Sequence, residues 1–140
     1  MSGIRRTTAD AAFSDCVRTR DKWTCQRCRK VYPKQSGGLH CAHVVTRRNA
    51  ALRYDLQNAI AMCFSCHRWF DGEILESADW FRERFGDDRA EYLLKQKRVV
   101  VRHNEVMRKA VAKHYRGEMA SLSCRPEHQP VSFDISLYQK

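Results

Sequence analysis

Four cysteines stand in two close pairs, Cys25/Cys28 and Cys63/Cys66. Two C-x-x-C pairs around a folded insert are the ligand set of a tetrahedral all-cysteine zinc site. The short spacing lets one turn point two thiolates at a single ion, and joining the pairs closes the loop between them. A structural Zn2+ there adds stability that a small core lacks. A redox dithiol is the rival reading, but that motif normally follows a strand of a thioredoxin-like fold, and two copies do not suit it. The insert itself carries residues that can do chemistry. His43 lies on a predicted strand, Asn58 precedes the second pair, and His67 follows it immediately. Neutral imidazole titrates near physiological pH and can accept a proton or bind a metal. His103, His114 and His128 lack partners at such spacing and read as ordinary residues. Cys16, Cys41 and Cys124 read as small buried hydrophobes.

The elements that must position these residues follow from local pattern. Residues 9–21 read as a helix, with Phe13 and Val17 on one face and Thr7, Thr8 or Asp10 to cap it. Pro33, Ser36, Gly37 and Gly38 mark a turn. Residues 39–46 read as a strand, and 58–62 as a second short strand able to pair with it. Between them runs a basic polar loop. Residues 64–70 look helical, beginning inside the second cysteine pair. Farther on, Ser77 can cap a helix that Gly86 ends, and Asp87 or Asp88 can start the next, through EYLLKQKR. A third helix is expected over roughly 104–115, ending near Gly117, with an irregular tail from Ser121.

The order and spacing of His43, Asn58 and His67, with the ending NAIAMCFSCH, resemble the HNH (ββα-metal) nuclease motif, in which two short strands and a helix grip one divalent ion. The resemblance implies an α+β fold: a small zinc-stapled HNH core with flanking α-helices. It also implies roles. His43 would be the general base for a water attacking a phosphodiester and His67 a ligand of a catalytic Mg2+ or Mn2+; Asn58 would either ligate that metal or orient His43. Many such enzymes carry Asp or His directly before the base, where this chain has Ala42. His40 lies on the same strand face about 7 Å away. It could replace that ligand if the strand kinks or the metal shifts; Asp55 and Asp71 are other possible donors. More closely, GLHCAHVVTRR, LRYDLQN and the second cysteine pair are similar to the phage NinG/Rap recombination endonucleases, over roughly residues 21–122. Members of that family typically have Asn where this chain has His67. The resemblance implies cutting of branched recombination intermediates such as Holliday junctions, or of phage DNA. It also implies a homodimer for symmetric cleavage and possible recombination-protein partners.

Composition is consistent with a nucleic-acid partner. The 140 residues carry a formal net charge of +10, which raises the local concentration of polyanions. Arg47, Arg48 and Arg53, beside the expected site, are candidate DNA contacts, and the last helix adds Arg108, Lys109, Lys113 and Arg116. No apolar run is long enough to cross a bilayer. The N-terminus has no apolar stretch after its basic residues, so the expected location is the cytoplasm, that of a bacterial host if the chain is phage-encoded. The chain divides into an N-terminal helical segment (1–22), a zinc-bound HNH core (23–72), a helical extension (73–120) and an irregular tail (121–140). A non-catalytic zinc module that binds DNA or a recombination protein is the alternative function.

Overall fold

A computed structural model describes residues 4–140; the first three residues of the N-terminal segment lie outside the described part. Helix α1 (Thr8–Arg20) starts where Thr7 and Asp10 form a reciprocal capping box, each side chain accepting from the other's backbone N–H. Its Ala9, Phe13, Cys16 and Val17 form one buried stripe that packs on α5 (Glu105–Cys124), the longest helix. Asn104 caps α5 by accepting from the Met107 N–H. The helix passes straight through Gly117 instead of stopping there. A mid-helix glycine costs about 1 kcal/mol, which the burial of Met107, Val111, Ala112, Tyr115 and Leu122 outweighs. The expected boundary at residues 120 and 121 therefore falls inside a helix. The tail beyond it is mostly irregular but packs back, with Phe133, Ile135 and Tyr138 against this first hydrophobic cluster.

The second cluster surrounds a two-stranded antiparallel sheet, β1 (Leu39–His43) and β2 (Ala59–Cys63), in a register that pairs Leu39 with Cys63 and His43 with Ala59. β1 ends three residues earlier than its β-branched continuation suggests. Beyond His43 the buried Asn58 takes over: Val44 N–H donates to its carbonyl, and its side chain bonds Val45. The outer edge of β2 is also closed, because Ala61 N–H donates to the Asp21 carboxylate and Ala61 C=O accepts from Gln26 N–H.

Helix α2 (Phe64–Gly72) leaves β2 directly, and α3 (Ile74–Phe85) follows after one residue. Ser77 does not cap α3. The helix begins at Ile74, and the Ser77 hydroxyl bonds back to the Ile74 carbonyl. Gly86 ends α3 and begins α4 (Asp87–Gln96) at φ 94° and ψ 155°, a corner that suits glycine. Phe70, Phe81, Ala90 and Leu93 from these helices close the second cluster over the sheet. Of the three lone cysteines Cys16 is buried as expected, Cys41 is half-buried, and Cys124 at the end of α5 is exposed, so it is not a core residue.

Candidate active site

The cysteine pairs converge. The Sγ atoms of Cys25, Cys28, Cys63 and Cys66 all lie within 4.8 Å of one another, and Cys28 and Cys63 are 3.9 Å apart. Zn–S bonds of about 2.3 Å at tetrahedral angles put sulfurs about 3.8 Å apart, so the donor set fits Zn2+. The first pair sits on a tight knuckle in which Cys25 N–H donates to Lys30 C=O and Arg29 N–H to Cys25 C=O, with Arg29 at φ 67°. The second pair comes from the β2–α2 junction, where Cys63 is the residue before the first helical turn and Cys66 lies within it. Arg27 stacks on Trp69 and directs an N–H at Cys66 Sγ, 3.7 Å away, which offsets thiolate charge. Four cysteines are thus positioned to bind a metal ion.

A cleft of about 820 Å³ opens beside this staple, lined by His40, Cys41 and His43 of β1, His67 and Asp71 of α2, and arginines 6, 18, 47 and 48. His43 Nε2 is 3.0 Å from the Arg53 carbonyl. A carbonyl can only accept, so Nε2 carries the proton and Nδ1 the lone pair. Burial holds the His43 pKa down to about 4, with Arg47 adding to the effect against the Arg53 hydrogen bond. The ring also packs against Phe13 of α1 at 5.7 Å between centroids.

The second histidine pair faces the same cleft. His40 Nδ1 and His67 Nδ1 are 3.1 Å apart, a hydrogen bond between the two imidazoles; the same separation fits two nitrogens bound at about 2.1 Å and near 90° to one ion. Burial, then the neighbouring His67 and Arg18, lowers the His40 pKa and favours the neutral form, which is the form able to bind a metal. His67 Nε2 lies 3.3 Å from the Asp71 carboxylate, one helical turn on. That contact places a proton on Nε2 and leaves Nδ1 facing His40, so the Asp71 carboxylate is engaged with His67. Asp55 is engaged as well: its buried carboxylate accepts from Gln57 N–H and the Tyr92 hydroxyl, away from the cleft. Ala42 is fully buried in the second cluster.

Two expected site residues are engaged inside the protein. Asn58 makes no hydrogen bond to the His43 ring. Its side chain is wholly buried, accepts from Val45 N–H, and donates to the carbonyls of Val45 and Leu52. It pins the loop that follows the His43 strand. Arg53 is not a free DNA contact. It is buried and grips Asp10 through Nε at 2.9 Å and Nη2 at 2.6 Å. Arg47 is half-buried at the cleft wall, reaching toward Asp10 at 3.8 Å, whereas Arg48 is exposed there. Sequence reasoning misses Arg6 and Arg18 as lining residues. Neither has a spacing signal, since both reach the cleft only through the docking of α1 and the segment before it. Cys41 also lines the cleft, but burial pushes its thiol up to about 12, which makes it a poor nucleophile.

Two antiparallel strands leading into a helix, stapled by four cysteines, are an α+β zinc-type scaffold. The HNH endonuclease family model matches residues 25–69, about a third of the chain, so that stretch is similar to an HNH domain. The matched stretch contains both cysteine pairs, both strands and His67. No match to a curated protein or to a solved structure was found.

Proposed function

We propose that the protein is a metal-dependent endonuclease that hydrolyses DNA phosphodiester bonds in the cleft between β1, α2 and α1. The observation that carries this reading is His43: its Nε2 proton is fixed on a backbone carbonyl, and its Nδ1 lone pair is free in a cleft that also holds the His40/His67 pair. Arg47 and Arg48 on the rim suit an anionic backbone. At neutral pH His43 is wholly in its acceptor form. A phosphodiester anion docked beside it raises its basicity toward the range in which proton transfer is favourable.

In the reaction, a water oxygen forms a bond to phosphorus while its proton passes to His43 Nδ1. The opposite P–O bond breaks, and the leaving oxygen takes a proton from solvent. His40 and His67 would hold a divalent ion, which would supply charge stabilisation for the phosphoryl oxygens and leaving group. Two imidazoles favour a transition-metal ion such as Mn2+, Co2+ or Ni2+ over Mg2+, which prefers oxygen donors. The resemblance to the recombination endonucleases extends the proposal to branched substrates such as four-way junctions and to a homodimer.

The test is a plasmid-nicking assay across Mg2+, Mn2+, Co2+ and Ni2+. His43→Ala is expected to keep fold, zinc and DNA binding while losing about 10² to 10⁴ in rate. His40→Ala and His67→Ala are expected to lose cleavage through weaker metal binding, and excess Mn2+ should restore part of it, which it cannot do for His43→Ala. Full activity in both His43→Ala and His67→Ala rejects the nuclease reading. The alternative, a non-catalytic zinc module that binds DNA or a recombination protein, draws on the buried Ala42 where many HNH enzymes have a ligand. It would then stand.

A further inference from the structure

A second pocket, of about 640 Å³, lies on the far side of Arg6 from the catalytic cleft, where the segment before α1 meets α5. Arg5, Arg6, Arg53, Arg108 and His103 line it, together with Thr7 and Thr8. Arg53 is neutralised by Asp10. Among the described residues, Arg5, Arg6 and Arg108 form no ion pair with a carboxylate. Three guanidinium groups around one concavity without a counter-charge repel one another, and an anion seated among them relieves that repulsion. The pocket also opens over the first turn of α1, whose partial positive charge has the same sign. His103 is held in place by its 2.7 Å contact with the Tyr54 hydroxyl. Ile4 and Arg6 line both this pocket and the catalytic cleft, so the two concavities share a wall.

From this placement we infer that the pocket of Arg5, Arg6 and Arg108 is a second phosphate-binding site, which holds the backbone of the substrate strand beyond the scissile phosphate. The inference rests on the nuclease reading for its ligand. It adds a track: the strand leaves the cleft past Arg6, crosses the start of α1 and is gripped again by Arg108 on α5. Planar guanidinium forks suit non-bridging phosphate oxygens, and a shape with no base-edge donors or acceptors of fixed geometry grips any sequence.

The experiment measures binding to a DNA duplex without catalytic metal as a function of salt, for zinc-loaded protein in the His43→Ala background. The pocket variant is Arg5→Gln/Arg108→Gln, which leaves the Arg5 carbonyl that supports Arg53 in place. The control, Lys95→Gln/Arg98→Gln, removes the same charge from two exposed residues at the end of α4, outside both concavities. Removing one arginine–phosphate interaction lowers the slope of log K against log salt by about 0.9. The pocket variant is therefore expected to lose about two from the slope and at least tenfold in affinity at low salt. The control should stay within twofold of the parent. Equal losses in both variants, or none in the pocket variant, overturn the second site while leaving the nuclease reading intact. A parent protein that neither binds nor cuts DNA removes that reading itself. Circular dichroism and zinc content confirm that each variant is folded.

Discussion

At the scale of single residues, His43, the proposed base, also bears on stability. Burial keeps it neutral down to about pH 4, whereas an unfolded histidine titrates near 6.5. Between those values the unfolded chain binds a proton that the native protein refuses, so stability falls as pH drops through the window and is restored as pH rises above 6.5. The loss from this group is on the order of 3 kcal/mol by pH 4. It is read as the difference between wild type and His43→Gln in urea unfolding at pH 7.5, 5.5 and 4.5; acid effects on the zinc site are common to both and cancel. Wild type should lose stability relative to the variant as pH falls, and parallel curves contradict the buried-histidine account. His43, His67 and the four cysteines are visible in the sequence because spacing reports them directly. From the sequence Asp71 reads only as a possible metal donor; its contact with His67, one helical turn away, shows only in the fold. Asn58 shows the limit: its position in a motif says nothing about which backbone groups its amide will satisfy.

Elements meet at the Asp10–Arg53 pair, which ties the first turn of α1 to the loop between the strands. Both side chains are more than nine-tenths buried. Burial pushes the Asp10 pKa up, but hydrogen bonds from Arg53 and Thr7 outweigh it and leave the carboxyl below its ordinary value. Removing one partner strands the other charge, which typically costs about 3 to 5 kcal/mol. Asp10→Ala also breaks the capping box and releases the wall that carries Phe13 against His43. Thermal unfolding should therefore show a large drop in Tm for Asp10→Ala. For Asp10→Ala/Arg53→Met, which leaves no stranded charge, the drop should be smaller, and a double variant worse than the single would refute the pairing. The sequence could not display this contact, because its partners lie 43 residues apart and Arg53 sits in a run that looks like a solvated basic loop. The helices themselves are legible where capping and apolar spacing agree, as for α1 and for the corner at Gly86. Ser77 and Gly117 mislead because a capping residue and a helix breaker can both sit inside a helix once tertiary packing outweighs a local cost of about 1 kcal/mol.

The whole molecule is two hydrophobic clusters joined at the cleft: α1, α5 and the tail on one side, the sheet, knuckle and α2–α4 on the other. The proposed catalytic geometry draws on both, since Phe13 of the first backs His43 while the second carries His40 and His67. Only the second depends on the four cysteines, and Cys25, Cys63 and Cys66 are among its buried members. Structural zinc binding is worth about 10 to 16 kcal/mol in small zinc domains, which matches or exceeds the usual stability of an entire domain, about 5 to 15 kcal/mol. Loss of this ion should therefore dismantle the sheet and α2, and the cleft with them. The two proposed metal sites should consequently fail in different ways. A weak chelator that removes only the ion at His40 and His67 should abolish cleavage with little change in Tm, and added Mn2+ should restore activity. A strong chelator that competes for thiolates should release about one Zn2+ per chain, lower Tm sharply and leave an inactive protein that Mn2+ alone cannot rescue. Cys63→Ser should reproduce the second outcome without any chelator. Soluble, folded protein that contains no zinc by metal analysis would overturn the structural assignment, and a strong-chelator state rescued fully by Mn2+ would show that the staple and the catalytic ion are not separate sites.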